Sequence, residues 1–150
     1  MIDILEGTWH LVHSNFKMWH KGSIADVTFN YTPIQKRGKV ALLDEVKYTE
    51  DGTPKCITGY DYINDDSVFT WHGIGLLSLI RSSWQVEWMD KDCEYMLISF
   101  NKTLLTPAGV DILTRHNKPS ATVIDEVWKL LQVNERLNKL SEGLKPVLRG

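Results

Sequence analysis

Five histidines, two cysteines and a set of carboxylates on extended stretches are the side chains of this 150-residue sequence with the widest chemical repertoire. His10 and His13 lie three apart on a stretch that reads as a strand, so alternation places them on opposite faces, where they cannot share a metal ion. His20 stands beside Trp19 in a stretch without periodicity, His72 points outward or to a rim, and His116 just follows the last strand. Cys56 and Cys93 lack the paired spacing of a zinc site. No nucleophile elbow, phosphate-cradling glycine loop or Cys–His arrangement occurs. The reading therefore assigns no catalytic residue, no metal and no cofactor. Asp44, Glu45, Asp61, Glu87 and Asp111 fall on predicted strands. Glu87 faces outward, Asp111 shares the phase of Leu113 and can face inward, and one of Asp44 and Glu45 must face inward unless a bulge intervenes. An inward carboxylate among apolar side chains has a raised pKa and can act as a general acid or base. The competing reading is a solvated rim position or a paired structural group.

The elements that would position these groups are short and mostly extended. Residues 7–14 read as a first strand, 14–25 as a long loop, and 26–33 as an alternating second strand with Val27, Phe29 and Tyr31 on its buried face. Arg37-Gly38 and Asp51-Gly52 are turn signals on either side of a third strand, 39–49, and a fourth covers 54–62. Asn64-Asp65-Asp66 turns into a fifth strand, 67–72, and Gly73 to Ser83 reads as a wide loop or bent strand. Strands at 84–88, 94–100 and 110–115 follow, separated by turns at 90–92 and 106–109. After Ser120 the period changes to that of a helix, with Val123, Val127, Leu130, Leu131 and Leu137 on one stripe. Ser120 is the expected N-cap of this one amphipathic helix, about 121–140, and Gly143 its stop. Eight strands with regular turns predict an all-β fold, an eight-stranded antiparallel up-and-down barrel at about 7–116, with the helix packed on its wall in a single domain, 1–150.

Composition narrows the partners. The 43% hydrophobic content suits a chain with a core, and a net charge of -2 gives no electrostatic reason to expect nucleic acid. The longest apolar run, Ile74 to Ile80, is far too short for a membrane span, so no integral membrane segment is expected. No leader precedes residue 8, which favours a cytoplasmic location and free thiols. A monomer or homodimer is expected.

Glu6-Gly7-Thr8-Trp9 opens the first strand and Ile112-Leu113-Thr114-Arg115 closes the last. With Asp90-Lys91-Asp92-Cys93-Glu94-Tyr95 before the seventh strand, these stretches resemble the lipocalins, most closely the bacterial lipocalin and apolipoprotein D type. The resemblance implies that Trp9 plugs the closed end of the barrel, that Arg115 lies over its ring, and that Gly7 admits a close approach. It also implies a lumen walled by inward positions, which alternation assigns to Phe29, Tyr31, Phe69, Trp71, Trp84, Trp88, Met96 and Ile98. His116, beside Arg115 and past the strand end, is poorly placed as a haem ligand of the nitrobindin kind.

The expected function is the binding and carriage or sequestration of a small lipophilic or aromatic molecule in that lumen. Two alternatives stand beside it. An isomerase or cyclase on the same barrel would need a carboxylate, a tyrosine and a histidine to converge inside it. A barrel filled by its own side chains would instead act as an interaction module, through Trp19 and the loop from Gly73 to Ile80.

Overall fold

The computed structural model describes residues 1–65 and 67–150. Eight strands follow one another in antiparallel pairs: β1 (Gly7–Ser14), β2 (Ile24–Lys36), β3 (Lys39–Glu50), β4 (Thr53–Asp65), β5 (Val68–Gly73), β6 (Arg81–Met89), β7 (Tyr95–Phe100) and β8 (Gly109–Thr114). β1 pairs with both β2 and β8, which closes the sheet into a barrel. A short helix, α1 (Ile2–Leu5), precedes the barrel, and α2 (Ala121–Val133) and α3 (Glu135–Leu140) follow it. The ninth strand, β9 (Lys145–Pro146), adds to β1 at His13 and Ser14, beyond the stretch from Gly7 to His10 that β2 occupies.

Turn chemistry sets the hairpins. Arg37 and Gly38 (φ 53° and 74°) and Asp51 and Gly52 (φ 51° and 79°) each put two residues in the left-handed region, the geometry that lets a two-residue loop follow strand twist. The fourth strand runs longer than the sequence suggested: Asn64 and Asp65 belong to β4, and Asp66, the last residue of the expected turn, lies outside the described residues. Between β5 and β6 a single 3-10 turn at Gly75–Leu77 fills the segment expected to be a wide loop.

Alternation divides the apolar side chains between two clusters. The inner one holds Trp9, Leu11, Phe29, Leu42, Phe69 and Met96 among others. The outer one joins Val12, Leu97, Val110 and Ile112 of the barrel wall to Ile124, Val127, Leu131 and Leu137 of the helices. The helical stripe thus packs on the barrel wall. It is broken, however, into two helices. Asn134 adopts extended angles (φ -103°, ψ 108°) and its side chain accepts from the Leu137 backbone N–H, so it caps α3 where the sequence implied continuity. Ser120 caps α2 by accepting from Val123 N.

Of the register shifts in the barrel, two move residues singled out from the sequence. The register of β6 on β7 shifts between Val86 and Trp88, and Trp88 turns outward to pack against the helical cluster. The expected inward position of Trp88 is therefore corrected; Met89 takes up the inner phase instead. A second shift between Leu11 and His13 turns His13 out against Trp128, onto the same outer surface as His10, so those two imidazoles do not face opposite sides.

Leu131 is buried at the centre of the helix–barrel contact. Leu131→Ala is expected to lower unfolding free energy by about 2–5 kcal/mol, read from the midpoint of urea denaturation.

Candidate functional site

One end of the barrel is sealed. The Trp9 ring is fully buried, its indole N–H donates to Leu5 O (2.9 Å), and the Arg115 guanidinium lies 3.8 Å above the ring. Arg115 also donates to Ile4 O (2.6 Å) and Thr8 O (3.4 Å), tying α1 across the floor. Gly7 sits at φ +106°, and a Cβ there would come 2.9 Å from Arg115 Nη1. A side chain at this position would be strained and would push the guanidinium off its ring.

The other end holds a cavity of ≈ 250 Å³. Its mouth is built from the connections between β1 and β2, β5 and β6, and β7 and β8, through Phe16, Trp19, Leu77, Ile80, Thr103 and Leu105. Deeper in, Phe29, Tyr31, Trp71, Trp84 and Phe100 supply rings to the wall. Trp84 anchors this aromatic group. It stacks on Phe69 (centroids 4.5 Å apart, 15° between planes) and on Tyr31 (5.9 Å, 16°). Gly59 makes room for the Trp71 indole: a Cβ there would collide with Trp71 Nε1.

Carboxylates interrupt these apolar walls. Strand pairing sets Tyr31 of β2 opposite Asp44 of β3, Asp61 of β4 two residues along from Gly59, the partner of Asp44, and Asp111 of β8 opposite Ser14 of β1. All three aspartates are buried, and Asp44 and Asp111 line the cavity itself. Asp61 accepts from the Trp84 indole N–H (2.9 Å) and shares a hydrogen bond with Asp44, so one of the two carries a proton. Burial pushes Asp61 well above the usual carboxylate range, and the Asp44 charge adds to that. Asp44 rises to about 6, driven by burial against the opposing hydrogen bond from Asp61. Asp111 rises to about 7, again by burial, with a hydrogen bond to Ser14 acting the other way. Tyr31, buried and facing all three acids, is held well above its ordinary value and stays a neutral hydroxyl. Among the described residues, Asp44 Oδ1, Asp61 Oδ2 and Asp111 Oδ1 have no hydrogen-bond partner.

No family model and no curated protein matches the sequence. Solved structures do match. Lobster apocrustacyanin A1 is 10% identical over 99% of this chain and 79% of its own, with a TM-score of 0.68. The siderocalin Ex-FABP is 15% identical over 98% and 95%, with a TM-score of 0.65. A bovine odorant-binding protein variant is 12% identical over 95% and 93%, with a TM-score of 0.57. The chain has the lipocalin fold. At these identities the likeness is one of backbone path.

Within this lipocalin barrel, four residues expected from alternation line the cavity: Phe29, Tyr31, Trp71 and Trp84. Phe69, Met96 and Ile98 also face inward, but they are fully buried in the packed region beneath it. Trp88 is outside, for the reason given above. Trp19, expected as an exposed contact residue, is buried in the mouth against Tyr48, whereas Leu76 and Leu79 of the neighbouring loop are exposed. Asp44 and Asp111 face inward as alternation allowed. Glu87 faces outward, where Arg136 of α3 bonds both of its oxygens at 2.6 Å. The sequence missed the open-end residues Phe16, Met18, Leu77 and Leu105, which lie on connections where neither strand nor helix periodicity applies. A carboxylate and a tyrosine converge inside the barrel, and no histidine lines the cavity among the described residues.

The raised acids predict an unusual pH profile. The folded chain holds a proton on Asp111 that the unfolded chain releases near 3.8, so this site adds most to stability in acid and the contribution is lost as pH rises through about 7. The swing is of order ~4 kcal/mol for a fully buried group. Asp111→Asn is expected to flatten the fall in urea midpoint between about pH 5 and about pH 8 and to make the protein more stable than the parent at the higher value.

Proposed function

We propose that this lipocalin barrel binds a small lipophilic or aromatic molecule in its lumen and carries or sequesters it. The observation that carries the reading is the ≈ 250 Å³ cavity, walled by the rings of Phe29, Trp71, Trp84 and Phe100 and reached between loops at one end. A barrel meant to be filled would have closed this space with side chains, since an empty apolar cavity costs dispersion contacts along its whole lining. The volume lies just under the ~300–1,000 Å³ typical of drug-sized ligands, which selects a compact molecule. Binding energy comes from burying that molecule's apolar surface, and the few polar groups fix its orientation. The structural neighbours agree in kind: an odorant-binding protein by its name takes odorants, and Ex-FABP is described as working through dual ligand specificities.

The test is a titration with the neutral apolar dye N-phenyl-1-naphthylamine. Saturable enhancement of its emission at micromolar concentration is expected, together with quenching of tryptophan emission by energy transfer. Val46→Trp projects a larger side chain into the cavity wall and should weaken binding by at least about tenfold, near ~1.4 kcal/mol. A flat titration, or equal binding by the blocked variant, would remove the lumen from consideration as the ligand site.

A further inference from the structure

Resting on the lumen reading above, one feature of the cavity specifies the ligand's charge. Asp44 and Asp111 both line the space, 5% and 1% exposed respectively, and each has an Oδ1 with no hydrogen-bond partner among the described residues. Asp61, bonded to Asp44 and to Trp84, adds a third acid and a third unpaired oxygen just behind the wall. These groups come from three strands, β3, β4 and β8, and all three act on Tyr31 of β2. Among the described residues that line the cavity there is no lysine, arginine or histidine. The protein therefore buries acids and supplies no counter-charge inside the space they face.

We propose that the lumen takes a compact amine in its protonated form, with the ammonium held by Asp44 and Asp111 at the inner end and the apolar body among Phe29, Trp71 and Phe100. A neutral hydrocarbon would leave the acidic oxygens desolvated and unpaired, which costs free energy on every binding event. An anion would be repelled. An ammonium donates up to three hydrogen bonds to acceptors arranged around it, and charge-assisted bonds in a water-poor site are the strong kind. The ring faces of the wall also favour a cation over a neutral or negative head. Below the acids the barrel is packed with Leu42, Phe69, Met96 and Leu113, so the head group stops at their level and the body points to the mouth.

The experiment is displacement of the bound neutral dye by three ligands that share one ring: 2-phenylethylamine, 2-phenylethanol and 3-phenylpropanoate. The amine is expected to displace the dye at a concentration at least about tenfold below that of the alcohol, and the carboxylate to be weaker than either. Asp44→Asn and Asp111→Asn should each pull the amine-to-alcohol affinity ratio towards one. The groups facing this end are Tyr31 on β2, Asp44 on β3, Asp61 on β4 and Asp111 on β8. Because the acids must give up protons to meet the ammonium, the ratio should grow as pH rises from about 5 to about 8. An alcohol that binds as well as the amine in the parent protein overturns the inference while leaving the lumen reading intact, as does dye that none of the three ligands displaces. Failure of the dye itself to bind overturns both.

Discussion

The Arg115 guanidinium over the Trp9 ring is the contact on which the rest of the barrel depends. It joins the end of the last barrel strand to the start of the first, and the donors left over reach back to α1. Closing one end this way removes the need for side chains to fill the whole interior: the packed region can stop at Trp9, Phe69, Met96 and Leu113, and the other end can stay open. Gly7 is the backbone concession that this contact requires, since its positive φ and missing Cβ bring the first strand under the guanidinium. The outer helices complete the arrangement. Arg136 ties α3 to Glu87 on β6, and β9 fills the edge of β1 where β2 has peeled away. An exposed strand edge at that point would have been an aggregation hazard.

Much of this was legible in the sequence because the signals are local. Two-residue turns at Arg37-Gly38 and Asp51-Gly52, period-two alternation, and the Gly7, Trp9 and Arg115 signature each depend on a few neighbouring residues. What escaped was phase. Alternation counts residues from a starting point, and a bulge resets the count without leaving a sequence mark. Trp88 and His13 are displaced by one bulge each. The break at Asn134 is a related case: the apolar stripe continues through it in sequence, while the side chain finds a better partner in Leu137 N–H than in continued helix.

The cavity shows a different boundary to what sequence can reveal. Phe29, Tyr31, Trp71 and Trp84 were found because they lie on strands, where parity gives direction. Which inward residues border empty space and which are packed against others is a matter of three-dimensional fit, and Met96 and Ile98 cannot be told from Trp84 by phase alone. Open-end residues such as Phe16 and Leu105 belong to connections, where no period exists to read.

The buried acids set stability against function in one place. Hydrophobic replacements at Asp44, Asp61 and Asp111 would fit the surroundings and remove the desolvation cost each acid imposes once it ionises. Among the described residues neither a cation nor a full set of donors meets them, so that cost is not recovered there. A structural acid is ordinarily satisfied by neighbouring side chains, as Glu87 on the outer face is by Arg136 of α3, Ser99 of β7 and Gln85 of its own strand. Asp61 follows that pattern in part, through Trp84 and Asp44. Asp44 and Asp111 are likewise bonded on one side only, to Asp61 and Ser14, and they are the two that border the open space with an oxygen left unpaired among the described residues. An unpaired oxygen that borders open space is placed to be met by a ligand, and the aromatic wall beside it favours molecules with an apolar body.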